Sequence, residues 1–268
     1  MVAQKEEVQK KFFDSSGAIV AALLCAQDAK GFIESAATYW LQLEKELYDA
    51  SSPSFEEHAK QLSPEIQGYL HTLHDTLRRA QNILRAQFAA QDKEKKHTFA
   101  KEASFAVWQE AIASAWKNMA RKDVITGMQD TRSLQEIWNI PWPFMDRSYQ
   151  VAVSLFDQGH YYDAHAVFML LHFLSPTVFA YVFGEASCQH VRGNFFDALA
   201  NYLIATQLEP ENPVLAFQLA CCYQELGEQT SARLVFDYAI ECAERQQVVN
   251  IVERAKEKKS LLPALKAA

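Results

Sequence analysis

GHYYDAHAVF fills residues 159–168, GNFFDALANY residues 193–202 and GEQTSARLVF residues 227–236, each stretch 34 positions after the last. In register, Gly159, Gly193 and Gly227 coincide. So do Ala164, Ala198 and Ala232, and then Phe168, Tyr202 and Phe236. Leu174 and Pro176 recur as Leu208 and Pro210. A fixed period of this length marks a stack of small units, none of which buries its apolar face alone. Each recurring position has a physical task. The glycine ends a helix where the backbone must turn left-handed. The alanine lets the second helix approach the first. The aromatic one turn later fills the gap between neighbouring units. The proline closes the unit, because it cannot continue a helix but starts one well.

Each unit therefore reads as a helix–turn–helix pair of the tetratricopeptide kind. The predicted helices are 145–158 and 162–174, 178–192 and 195–208, 213–226 and 229–243, with a capping helix over 246–262. The expected fold is all-α: an N-terminal helical bundle over residues 1–140, then a repeat domain over 141–268. Its repeats span about 145–178, 179–212 and 213–245. The third unit has Glu244 where the closing proline would stand, as suits a terminal repeat.

Bulk composition agrees. The 268 residues hold only 8 Gly and 8 Pro, which suits long helices better than a many-turned β fold. The net charge of -7 lacks the basic footprint that phosphate binding demands, so nucleic acid and anionic lipid are poor partners. No run approaches the ~18 apolar residues of a membrane span. The longest, AIVAALLCA at 18–26, follows the charged stretch KEEVQKKFFD, a poor secretory signal, and would suit self-association into a homodimer. The 5 cysteines, Cys25, Cys188, Cys221, Cys222 and Cys242, read as reduced packing residues in a cytoplasmic protein.

In a stack of such pairs the first helices line a concave face. Positions two, five, nine, twelve and thirteen of each unit point into it. Position five is Tyr149, Phe183 and Phe217, an aromatic ladder. Around it lie Val153 and Phe156; Ala180, Ser187, His190 and Val191; and Val214, Cys221 and Gln224. These positions carry neither Lys nor Arg, so the groove is expected to hold an extended apolar segment and not to clamp a carboxylate. The competing reading makes the same aromatics ordinary core, or has the protein's own N-terminal region lie in the groove.

The wording of the repeats is more specific than their period. GHYYDAHAVFMLLHFLSP, FGEASCQHVRGNFFDALANYLIA and PVLAFQLACCYQELGEQTSA resemble the type III secretion chaperones for translocator proteins, the SycD/LcrH kind. The resemblance rests on the small-residue and Cys-Gln run at 186–189 and the Ala-Cys-Cys run at 220–222. It covers about 100 residues. It implies a cytoplasmic chaperone, working without nucleotide or metal, that parks a short segment of a secreted translocator or effector in the groove. Tyr149, Phe183 and Phe217 with their neighbours would be the gripping residues. That family has only a short arm before its repeats, whereas this chain has about 140 residues. A scaffold joining secretion components through that region is the alternative.

The N-terminal region reads as helical. One candidate helix covers 17–48. A second starts at Ser63-Pro64 and carries Ile66, Leu70, Leu73, Leu77, Ala80 and Leu84 as a seam. A third, about 99–121, puts Phe105, Trp108, Ile112, Ala115 and Trp116 on one side. DKEKKH at 92–97 reads as a solvated turn. A short helix at 131–139 leads to IPWPF at 140–144, the expected domain boundary, where Trp138, Trp142 and Phe144 would dock the two parts on a stiff linker. His71 and His74, with Asp75, have helical spacing for a metal, but nothing completes a ligand set. His160 and His165 read as surface residues. No phosphate loop, nucleophile elbow or zinc motif occurs, so no catalytic residue, cofactor or metal site is expected.

Overall fold

The computed structural model describes residues 54–93, 101–118 and 133–263, and the chain divides into two units, residues 1–148 and 149–268. Every described element is helical. The 17–48 helix and the apolar run at 18–26 lie outside the described residues.

In the first unit, α1 (Ser54–Lys93) is 40 residues long. The expected start at Pro64 is wrong: Pro64 sits inside α1, where it is exposed. A proline in mid-helix frees one carbonyl, and water can satisfy it at an exposed site. The seam is as the spacing demands, with Leu70, Leu73, Leu77, Ala80 and Leu84 buried and Phe88 extending it by one step. The Ile66 side chain is outside the described residues, as are those of Ile112, Ala115 and Trp116. A single 3-10 turn (Lys101–Ala103) precedes α2 (Phe105–Asn118), whose Trp108 and Ala111 are buried. The short α3 (Leu134–Ile137) begins with a reciprocal cap. Ser133 Oγ accepts from the Glu136 amide, and Glu136 Oε2 accepts from the Ser133 amide at 2.8 Å.

The residues assigned to docking behave differently from one another. Phe144 is fully buried within the first unit, 5.5 Å from the Trp108 ring and stacked on it, with Phe88 edge-on at 5.7 Å. Trp138 is buried too, whereas Trp142 is 59% exposed. Of the expected turn at 92–97, residues 94–97 lie outside the described residues, and Asp92 belongs to helix instead. It ends α1 and accepts from buried Arg147 at 2.8 Å. The same guanidinium donates to Gln91 Oε1, Ala103 O and Phe88 O, and lies over the Phe88 ring. It thereby ties the last two turns of α1 to the 3-10 turn through two backbone carbonyls and two side chains.

The unit division falls within α4 (Trp142–Asp157). The second unit then runs as α5 (Tyr161–Leu174), α6 (Phe179–Val191), α7 (Phe195–Leu208), α8 (Pro213–Glu225), α9 (Gln229–Arg245) and α10 (Val249–Ser260). The predicted helices match these within three residues at each end; α4 starts three residues early, at Trp142 with Pro143 in its first turn, and α10 starts three residues late, at Val249. Gly159, Gly193 and Gly227 each have φ of 80°. The closures are alike. His160, Asn194 and Glu228 donate to Leu155, Gln189 and Tyr223 carbonyls, and each glycine amide donates to Phe156, His190 or Gln224. Gln247 makes the same closure with φ of 60°, its follower Val248 donating to the Ala243 carbonyl. Ala164, Ala198 and Ala232 are fully buried. Tyr202 lies in a core with Ala186, Ala198 and Leu215, and Phe236 in the next one with Ala216, Ala232 and Ile251.

Candidate peptide-binding face

The first helices of the repeats place the ladder residues, and the three rungs meet different fates. Tyr149 is half-buried, its ring 6.0 Å from Phe168 and 5.9 Å from Tyr181. With Val153 it lines an open cleft of about 430 Å³, completed among the described residues by Gln150, Ser154, Asp157 and Gln158. Phe156 leaves this cleft and packs edge-on against Tyr161 at 5.2 Å.

The second rung sits in an aromatic nest. Half-buried Phe183 stacks on Phe179 at 5.3 Å and tilts against Tyr202 at 5.8 Å. Ser187 Oγ donates to the Phe183 carbonyl at 2.7 Å, one turn back in its own helix, so the hydroxyl is already used. His190 Nδ1 is 3.3 Å from the Tyr202 hydroxyl, and its ring is edge-on to Phe195. Burial lowers the His190 pKa, with Lys258 adding to the effect and Glu225 opposing it. The imidazole is thus held neutral at neutral pH. Ala180 is half-buried and Val191 exposed.

The third rung is not open. Phe217 is only 2% exposed and belongs to the core with Phe236, whose ring lies 6.0 Å away. The Arg254 guanidinium from α10 lies 4.7 Å from its centroid. Here the competing reading prevails, because the capping helix brings apolar surface against the last first-helix, where the earlier units have another repeat. Cys221 and Gln224 beside it are half-buried, and Val214 is exposed. Gln224 Oε1 has no hydrogen-bond partner among the described residues.

Three contributors were missed. Phe179 opens its helix and so fell outside the periodic count. Arg254 and Lys258 come from the capping helix, which a count of first-helix positions does not include. The first helices carry no cation at the face positions, but α10 brings two to its third-repeat end.

Other candidates separate. His71 is exposed and His74 buried, so the pair does not converge. His165 is not a surface residue: its ring is half-buried, 3.9 Å from buried Glu185. Among the described residues no group of His, Cys, Asp and Glu could hold a metal, and no helix is long and apolar enough to cross a membrane. Cys188 and Cys222 are buried thiols, pushed up to about 12 and about 11, chiefly by desolvation.

No protein-family model matches the chain, and no curated protein is similar to it at a significant level. Among solved structures it is similar to a chain of a T3SS complex from Aeromonas hydrophila, with 21% identity and a TM-score of 0.49 over 51% of this chain and 92% of that one. It is also similar to the type III secretion translocator chaperone SycD of Yersinia enterocolitica, with 21% identity and a TM-score of 0.46 over 48% of this chain and 97% of that one. SycD in complex with a peptide of the translocator YopD gives 24% identity and a TM-score of 0.39 over 45% and 98%.

Proposed function

We propose that the repeat unit is the peptide-gripping part of a cytoplasmic type III secretion chaperone. Its client would be a secreted translocator or effector, held by an extended apolar segment. The observation that carries this reading is the half-open aromatic surface on the first helices: Tyr149 with Val153, and Phe183 with Phe179. Such rings are buried enough to stay fixed and exposed enough to take a partner's side chain. A membrane-seeking segment parked there loses its contact with water, and with it the tendency to aggregate. The wording of the repeats supports the secretion setting. Nothing in this activity requires bond-making, so the protein acts as a binder and not as a catalyst.

The test is capture from the native bacterium by the wild-type chain beside Tyr149→Ala/Phe183→Ala, with retained helicity checked by circular dichroism. A hydrophobic secreted protein captured by the wild type and lost from the folded variant supports the reading. The same partners from both chains would sink it.

A second reading follows from the first unit. Its own core around Phe88, Trp108 and Phe144 and its buried Arg147 are the marks of a folded module, not of a short arm. Partners that survive the aromatic changes but vanish when residues 1–130 are deleted would make this module the adaptor between secretion components.

A further inference from the structure

Arg254 and Lys258 stand one helical turn apart on α10, facing Phe217 and Cys221, which stand one turn apart on α8. The Arg254 guanidinium rests over the Phe217 ring at 4.7 Å. The Lys258 charge acts on both Cys221 and His190. These two cations therefore border the third-repeat end of the aromatic face. Their neighbours are engaged elsewhere. Lys256 Nζ is 2.8 Å from Glu244 Oε1, and Lys259 Nζ is bonded to Asp237 Oδ1. Arg233 of α9 donates to the Leu262 and Pro263 carbonyls. By contrast, no ion pair involving Arg254 or Lys258 forms among the described residues. Glu225 is the acid whose charge reaches the same His190 and Cys221, so the corner keeps one positive charge in excess.

We propose that this corner receives the carboxylate of an aspartate or glutamate in the extended segment, whose apolar residues sit toward Tyr149 and Phe183. The proposal rests on the peptide-binding reading and sharpens it. A guanidinium held over a ring is weakly hydrated and already placed, so pairing it with a carboxylate costs little reorganisation. Half-buried Lys258 is screened less by salt than a free surface lysine. The acidic contact would also fix the direction in which the segment lies, which apolar pockets alone do poorly. A groove read as cation-free from its first helices thus gains a charged end from its cap.

The experiment is selection of displayed random peptides of about twelve residues by the full wild-type chain and by Arg254→Gln/Lys258→Gln. Both side chains lie at the surface or half-buried, and circular dichroism checks the fold. The wild type is expected to enrich apolar peptides with an Asp or Glu at a fixed offset from the apolar pair. The variant should keep the apolar pattern and lose the acidic one. A selected peptide should bind the variant about threefold to tenfold more weakly, with the difference shrinking at high salt. Apolar peptides without an acidic preference, or a preference that persists in the variant, overturn the proposal and leave peptide binding standing. Failure of the wild type to enrich any apolar peptide overturns both.

Discussion

His172 Nδ1 lies 2.7 Å from Glu185 Oε2, so one hydrogen bond ties the second helix of the first repeat to the first helix of the second. The same carboxylate has His165 Nε2 at 3.9 Å from its other oxygen. Gln189, one turn on, lies 3.4 Å from His165 and accepts from Asn201 Nδ2 at 3.0 Å. A polar seam thus runs through an otherwise apolar contact. Replacing Glu185 by Ala leaves imidazole groups half-buried without their acceptor. It should cost about 1–3 kcal/mol of stability, read from urea unfolding. An unchanged midpoint would show that the seam contributes nothing.

Acid should weaken the fold. Burial is the largest influence on both His165 and His190 and lowers each below the ordinary 6.5, with Glu185 opposing it at the first and Glu225 at the second. The unfolded chain therefore takes up protons before the folded one as pH falls. Their contribution is fully present above 6.5 and is lost as pH drops below that value. A melting temperature lower at about pH 5.5 than at about pH 7.5 is expected, and His165→Gln/His190→Gln should narrow the gap. An equal or larger gap in the variant would contradict the assignment.

Gly184 is required by its neighbour. A Cβ at this position would overlap the Phe168 ring from the preceding repeat. Gly184→Ala should destabilise by about 1–3 kcal/mol, and Phe168→Leu should recover part of that loss in a double-mutant cycle. Additive effects would mean that the two positions do not meet.

The left-handed closures make opposite predictions at two sites. Gly193→Ala places a Cβ at φ of 80° and should cost roughly 1–2 kcal/mol. Gln247→Gly relieves the same strain at φ of 60° and should stabilise by up to about 1 kcal/mol. Guanidinium unfolding of both variants decides the matter, and a stabilising Gly193→Ala would refute it.

The aromatic rungs should differ in the same assay. Phe217→Ala empties a core position and should cost about 3–5 kcal/mol. Half-buried Phe183 should cost less on truncation, and its loss should appear in peptide capture. Equal costs would place Phe183 in the core beside Phe217.

The repeat fold was legible because its signals are local. A glycine, an alanine and an aromatic at fixed spacing each do one job wherever they occur. The third rung was misread because burial of Phe217 depends on α10, and no periodic count at Phe217 reports what a later helix will cover. Arg147 was invisible for a related reason. Its acceptors, Phe88 O and Ala103 O, are backbone atoms 59 and 44 positions away. Pro64 misled in the other direction, since a helix-start signal has force only where the chain before it is not already helical. Gly184 could have been suspected, as a glycine inside a helical pattern asks for a packing reason.

The identical closures at Gly159, Gly193 and Gly227 also bear on how such a chain could arise. Each is satisfied by backbone atoms of its own unit, so copying 34 residues copies a complete instruction for ending one helix and beginning the next. Gene duplication could therefore lengthen the array without inventing a new joint. At its far end, growth would have to displace α10, which already covers the last repeat.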